Sequence, residues 1–201
     1  MPELAFHSLR FNQNGPYDLT IKAGQCVCIT GASGSGKTML LRSIADLDPH
    51  SGTVTLDKIN AGLMKPADWR RQVGLLPAES RWWHDTVGEH FIRLEAALLQ
   101  TLGFEEDVFG WQIKRLSTGE KQRLSIARLL ALSPRALLLD EPTANLDANN
   151  VEKLETLLTD YLQAHKTPGV WITHDPGQVR RIADRHFVLT KEALTEQEPG
   201  K

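Results

Sequence analysis

Eight consecutive residues have the types and the spacing to hold a polyphosphate. Gly31-Ala32-Ser33-Gly34-Ser35-Gly36-Lys37-Thr38 follows the pattern G-x-x-x-x-G-K-[ST] in full. The glycines let the backbone curl so that successive N–H groups point at phosphate oxygens, and a helix starting there adds its positive dipole end. Lys37 supplies a cation to the β- and γ-phosphates, and the Thr38 hydroxyl can ligate Mg²⁺.

Two further segments carry chemistry. Leu137-Leu138-Leu139-Asp140-Glu141 is an apolar run ending in adjacent acids. In a phosphoryl-transfer site Asp140 would bind Mg²⁺ through its water shell, and Glu141 would polarise the attacking water as general base. The plainer reading is a solvated strand end before Pro142. Leu116-Ser117-Thr118-Gly119-Glu120-Lys121-Gln122-Arg123 places a hydroxyl and a glycine just ahead of a helix, a second anion-binding helix start. The same letters also spell a capping box. One chain with two such starts suggests a composite site.

The elements that must position these residues follow from hydrophobic periodicity. Strands are expected at 4–11, 17–22, 26–30, 53–56, 73–76, 136–139, 169–173 and 186–189. Helices are expected at 36–47, 118–131, 149–165 and 178–183, with one or two turns at 66–71. From Thr86 to Leu102 the apolar residues Val87, Phe91, Leu94, Leu98 and Leu102 recur at helical spacing. Alternating strands and helices after an initial β region imply a mainly parallel sheet with covering helices. The expected fold class is α/β, with an N-terminal antiparallel β region and a small helical subdomain. Residues 1–77 and 134–191 would form the core lobe, 78–133 the helical lobe, and the polar residues 192–201 a frayed tail.

Bulk properties agree with a globular chain. Its 201 residues suffice for a proper core, and the net charge of −2 argues against nucleic-acid binding through bulk charge. The most apolar stretch, 129–139, is broken by Ser133, Pro134 and Arg135, too short to span a bilayer at ~20 residues. No secretory signal is evident, and the chain reads as soluble. Cys26 and Cys28 read as buried structural thiols; their side chains are expected on opposite faces of a strand, which disfavours a disulfide.

Taken in order, these motifs resemble the ABC ATPase family over residues 4–189. The resemblance makes 31–38 the Walker A loop, 116–120 the signature motif, and 137–141 the Walker B strand with its catalytic glutamate. Ala144-Asn145-Leu146-Asp147 matches the D-loop, and His174, within Trp171-Ile172-Thr173-His174-Asp175, the switch histidine that contacts the γ-phosphate. It implies a P-loop NTPase core that binds ATP and Mg²⁺. It further implies a head-to-tail dimer with each ATP between one chain's Walker A loop and the other chain's Ser117 and Gly119, with Asp147 among the nucleotide-binding residues. The adenine would stack on an aromatic residue, Phe11 first or Tyr17 second. A separate integral membrane permease would be the other partner, placing the chain on the inner face of the cell membrane. Trp69-Arg70-Arg71-Gln72-Val73 and Asp85-Thr86-Val87 resemble small bacterial subunits paired with permeases linked to metal-ion export.

The pattern breaks at Ala78, where the family carries a glutamine that completes the Mg²⁺ shell, and at Thr118, where the signature carries glycine. Weakened hydrolysis or altered coupling is the expectation for Ala78. Arg81-Trp82-Trp83-His84-Asp85 lies on the surface that receives a permease, with at least one tryptophan packed into the lobe. The rival function is a soluble ABC ATPase acting in cofactor assembly, separated from transport by whether a membrane protein co-purifies. A phosphate-loop kinase would leave Ser117 and His174 without a role.

Overall fold

The computed structural model describes residues 2–92 and 96–198, and two sheets form its frame. The first is antiparallel, built from β1 (Leu4–Phe11), β2 (Asn14–Ile21), β4 (Ser51–Leu56) and β5 (Ile59–Asn60) in the order β2-β1-β4-β5. The second has the order β10-β9-β3-β8-β7-β6, with β3 at Cys26–Thr30, β6 at Val73–Leu76, β7 at Ala136–Asp140, β8 at Gly169–Ile172, β9 at Arg185–Leu189 and β10 at Leu194–Gln197. All its pairings are parallel except β9 with β10. Strands covered on both faces need no polar alternation, and every residue of β7 and β8 is buried.

Each face of the parallel sheet has its own apolar core. One core joins the antiparallel sheet, α1 (Lys37–Ile44) and Trp69 of α2 (Pro66–Gln72) to Val27, Ile29, Leu138 and Val170. The other packs α4 (Thr118–Leu130), α5 (Ala148–His165) and α6 (Pro176–Ile182) against Leu137, Leu139 and Trp171. Val87, Val108 and the apolar side of α3 (Ala96–Thr101) belong to this second core. The helix starts are set by local caps. Asp147 accepts from Asn150 N at 3.0 Å to open α5, and Asp175 accepts from Gly177 N at 2.7 Å with Pro176 following.

Several expectations need correction. The helix expected over 86–102 is a short 3₁₀ turn, Gly88–His90, followed by α3; Leu94 lies outside the described residues. Helical spacing lost here to a local pairing: Val87 N donates to Trp111 O at 3.0 Å and Ile113 N to Asp85 O at 2.8 Å. α1 ends at Ile44 rather than 47, because Asp46 turns left-handed (φ 54°) and Leu47 N closes on Arg42 O at 2.8 Å. The tail does not fray over Leu194–Gln197, which pairs with β9; backbone hydrogen bonds there require no apolar side chains. Pro199 and Gly200 lie outside the described residues. Cys26 and Cys28 share one core and one face of β3, as the two-residue repeat of a strand requires, and both are free thiols. Burial and the neighbouring Cys28 thiol hold the Cys26 thiol well above its ordinary range, Cys28 being the larger cause.

Candidate nucleotide site

The phosphate loop lies between the end of β3 and α1, and its glycines adopt conformations that side chains resist. Gly34 and Gly36 have φ of 79° and 101°, while a Cβ on Gly31 would stand 2.5 Å from Leu189 O. Lys37 Nζ donates to Gly31 O at 2.8 Å and Ala32 O at 3.0 Å, so the ammonium spans its own loop. Burial pulls the Lys37 ammonium below its ordinary range, opposed by the nearby Glu141 and Asp140 carboxylates.

Register brings the acids to this loop. Asp140 stands opposite Ile172 across β7 and β8, so both strands end beside the start of α1. Thr38 Oγ1 donates to Asp140 Oδ2 at 2.8 Å. Glu141, one residue past the strand, takes a left-handed φ of 49°, and its N donates to Ile172 O at 3.1 Å. Strain of this kind in a non-glycine residue clusters at functional sites. Glu141 Oε1 lies 3.2 Å from His174 Nε2 as an ion-pair contact, yet that buried oxygen accepts no hydrogen bond. Burial raises both carboxyls; Thr38 and Lys37 oppose this for Asp140, and His174 opposes it for Glu141.

A cleft of about 330 Å³ is bounded by Ser33, Gly34, Lys37, Asp140, Glu141 and His174, and Ala78 also faces it. Phosphate and a cation suit this lining. A cation, a hydroxyl and two carboxylates converge, a Cβ on Gly34 would meet nothing within 4 Å, and Ser35 Oγ is buried without a partner.

The remaining expected residues sit elsewhere. Ser117, Gly119 and Asp147 do not line this cleft. Ser117 forms the capping box of α4: its Oγ accepts from Glu120 N at 3.2 Å, and its N donates to Glu120 Oε2 at 2.8 Å. Gly119 abuts the D-loop of its own chain, since a Cβ there would lie 3.2 Å from Asn145 O. Phe11 offers no open face for an adenine. It is 2 % exposed, tilts against Tyr17 at 5.6 Å and sits beneath Gly36. Tyr17 is equally buried and donates to Thr190 O at 2.6 Å. The stacking expectation is therefore corrected: the ring supports the loop from the core side. Sequence reasoning missed Asn14, whose Nδ2 donates to Ser35 O at 3.4 Å, and Gln122, whose Nε2 donates to Pro142 O at 3.1 Å. Neither lies in a motif that names its partner.

Away from the cleft, Trp82 packs against the second core while Trp83 is 66 % exposed, and the Arg128 guanidinium stands over both rings. A groove of about 350 Å³ runs from Leu76 past Trp83 to Leu132. Among the described residues no helix is long and apolar enough to cross a membrane.

Fold and site together define a phosphate-loop nucleoside triphosphatase. Comparison with known proteins makes this specific. The family described as "ABC transporter" matches residues 15–144. The probable iron export ATP-binding protein FetA of Escherichia coli is 30% identical over 194 residues, covering 90% of this chain and 86% of FetA. The phosphate import ATP-binding protein PstB of Aeropyrum pernix is 33% identical, covering 89% of this chain and 81% of its own length. A bacterial Atm1-family ABC exporter solved with ATP bound shares the fold, with a TM-score of 0.84 at 24% identity. The match covers 97% of this chain but only 38% of the exporter chain. The chain belongs to the ABC transporter family and is an ABC-type ATPase.

Proposed function

We propose that this chain is the ATP-hydrolysing motor of a membrane transporter and works as a head-to-tail dimer around two molecules of Mg²⁺-ATP. The carrying observation is the division of its functional residues. Lys37, Thr38, Asp140, Glu141 and His174 meet in one cleft, while Ser117 and Gly119 stand outside it. A second copy is the natural source of the missing half.

In this reading Gly31, Ala32, Ser33, Gly34, Ser35 and Gly36 wrap the phosphates with backbone N–H groups, and Lys37 neutralises the β- and γ-phosphates. Thr38 and Asp140 would hold Mg²⁺, which would supply charge neutralisation to the phosphates. Glu141 accepts the proton of the water attacking the γ-phosphorus, and His174 contacts the γ-phosphate from the next strand. Asp147 caps α5 and so fixes the D-loop that faces the partner copy. The relatives' names differ in cargo and direction while sharing ATP binding, so the reading is of the motor rather than its cargo.

The permease docks on the groove beside Trp83, where Ile92 and Leu132 are also exposed. This places the motor at the inner membrane face. The test is recovery of the tagged chain from detergent extracts. An integral membrane protein as its stable partner is the expected result; a soluble protein as its sole stable partner would sink the transport reading.

Ala78 faces the cleft but offers no ligand atom. Ala78→Gln should raise the steady-state ATPase rate about 3- to 10-fold, on the order of 1 kcal/mol of barrier. An unchanged rate would show that hydrolysis here does not suffer from the missing amide.

A further inference from the structure

A buried polar chain ties together the strand ends that carry Glu141 and His174, although its central members do not line the cleft. Gln178, on α6 and 1 % exposed, lies at its centre. Its Nε2 donates to Thr143 Oγ1 at 3.0 Å and to Glu155 Oε1 at 2.9 Å, which uses both amide hydrogens. Its Oε1 accepts from Trp171 Nε1 at 3.2 Å. Thr143 stands two residues after Glu141, and Trp171 three before His174. One side-chain amide therefore braces both approaches to the hydrolytic pair.

The amide is itself held in place. Glu155, 5 % exposed on α5, accepts from Arg181 Nε at 2.8 Å and Arg181 Nη2 at 2.6 Å. The carboxylate so fixed determines which end of the Gln178 amide is the donor. The donors of Gln178 meet the carboxylate and a hydroxyl, and its acceptor meets an indole N–H. A fully satisfied buried network of this kind specifies one geometry. The neighbouring hydrogen bond from Gln122 Nε2 to Pro142 O holds the same turn from α4.

We propose that Gln178, oriented by Glu155 and Arg181, is a positioning residue that sets the 3.2 Å approach of His174 to Glu141 during ATP hydrolysis. The proposal rests on Glu141 and His174 being the hydrolytic pair. A network that merely packed α6 against α5 would affect folding and nucleotide affinity alike; a positioning network acts on turnover.

The test is a charge-conserving exchange. Gln178→Glu alone sets two carboxylates about 3 Å apart and should lower kcat about 10- to 100-fold, as a misplaced catalytic group does. KM for ATP and the equilibrium affinity for ADP should stay within about twofold, because the phosphate loop is untouched. Adding Glu155→Gln reverses the donor order: the new amide donates to the new carboxylate, and Trp171 and Thr143 donate to that carboxylate. Arg181 Nε donates to the new amide oxygen, while Arg181 Nη2 gives up its bond to residue 155 and turns to Asp175 Oδ2, 3.6 Å away. This double variant should recover kcat to within about threefold of the parent. If Gln178→Glu does not fold, Gln178→Met, of similar size and without the amide, is measured in its place and should show the same split. Parental kcat in a folded Gln178 variant overturns the proposal. So does a joint loss of kcat and ADP affinity that the exchange fails to restore. A parental kcat in Glu141→Gln would instead remove the underlying assignment, which keeps the two failures apart.

Discussion

Glu141→Gln should lower kcat for ATP hydrolysis by about 10²- to 10⁴-fold while leaving ATP binding close to parental, the range associated with loss of a positioned general base. The amide keeps the shape of the carboxylate but cannot take a proton from water. Burial raises the Glu141 carboxyl above its ordinary range, against the opposing His174. The sign for activity follows. The base works only when deprotonated, so lowering the pH removes activity at a higher pH than an unperturbed carboxylate would. The acid limb of the kcat/KM profile, which reports the free enzyme, should therefore lie above the ordinary glutamate range in the parent and vanish from the residual rate of Glu141→Gln. Stability should move the other way. A raised carboxyl pKa means that the charged form destabilises the fold above the unfolded pKa, so the glutamine variant should melt higher. Parental turnover in Glu141→Gln would remove the residue from the reaction.

Lys37→Ala should weaken ATP affinity about 100-fold, or about 2.7 kcal/mol. Two separate contributions are lost. The ammonium no longer meets the β- and γ-phosphates, and the hydrogen bonds to Gly31 O and Ala32 O that brace the loop disappear. Because the second loss precedes any ligand, Lys37→Arg should not restore binding: the planar guanidinium does not fit two carbonyls spaced for a compact ammonium. Calorimetric titration with ATP distinguishes these outcomes, and parental affinity in Lys37→Ala would contradict the phosphate-loop assignment.

The cleft was legible in the sequence because its parts are local. A loop of fixed spacing, two acids at the end of an apolar run and a histidine after another such run each announce themselves within a few residues. The mainly parallel sheet then follows from alternation of β and α segments, and β7, in register with β8, delivers Asp140 and Glu141 to the loop.

What stayed hidden depends on partners distant in the chain. Phe11 alternates as a strand residue whether its ring ends in the core or in the open; only packing of the antiparallel sheet beneath Gly36 decides it. Residues 86–102 carry helical spacing, yet the backbone at their start found partners elsewhere, Val87 N with Trp111 O and Asp85 O with Ile113 N. β10 carries a single apolar residue, Leu194, and is held by its backbone pairing with β9 and by Glu196, which accepts from Arg185 Nε at 2.7 Å. Gln178 meets Thr143 and Glu155 across 35 and 23 residues, with no motif to connect them.

The central claim is that Ser117 and Gly119 complete the cleft of another copy. Light scattering on the Glu141→Gln chain in the presence of Mg²⁺ tests it most directly. The predicted result is twice the mass of one chain with ATP, the mass of one chain with ADP, and loss of the ATP-bound dimer in Glu141→Gln/Ser117→Arg. A single-chain mass with ATP at saturating concentration, or a dimer indifferent to both the nucleotide and Ser117, would contradict it.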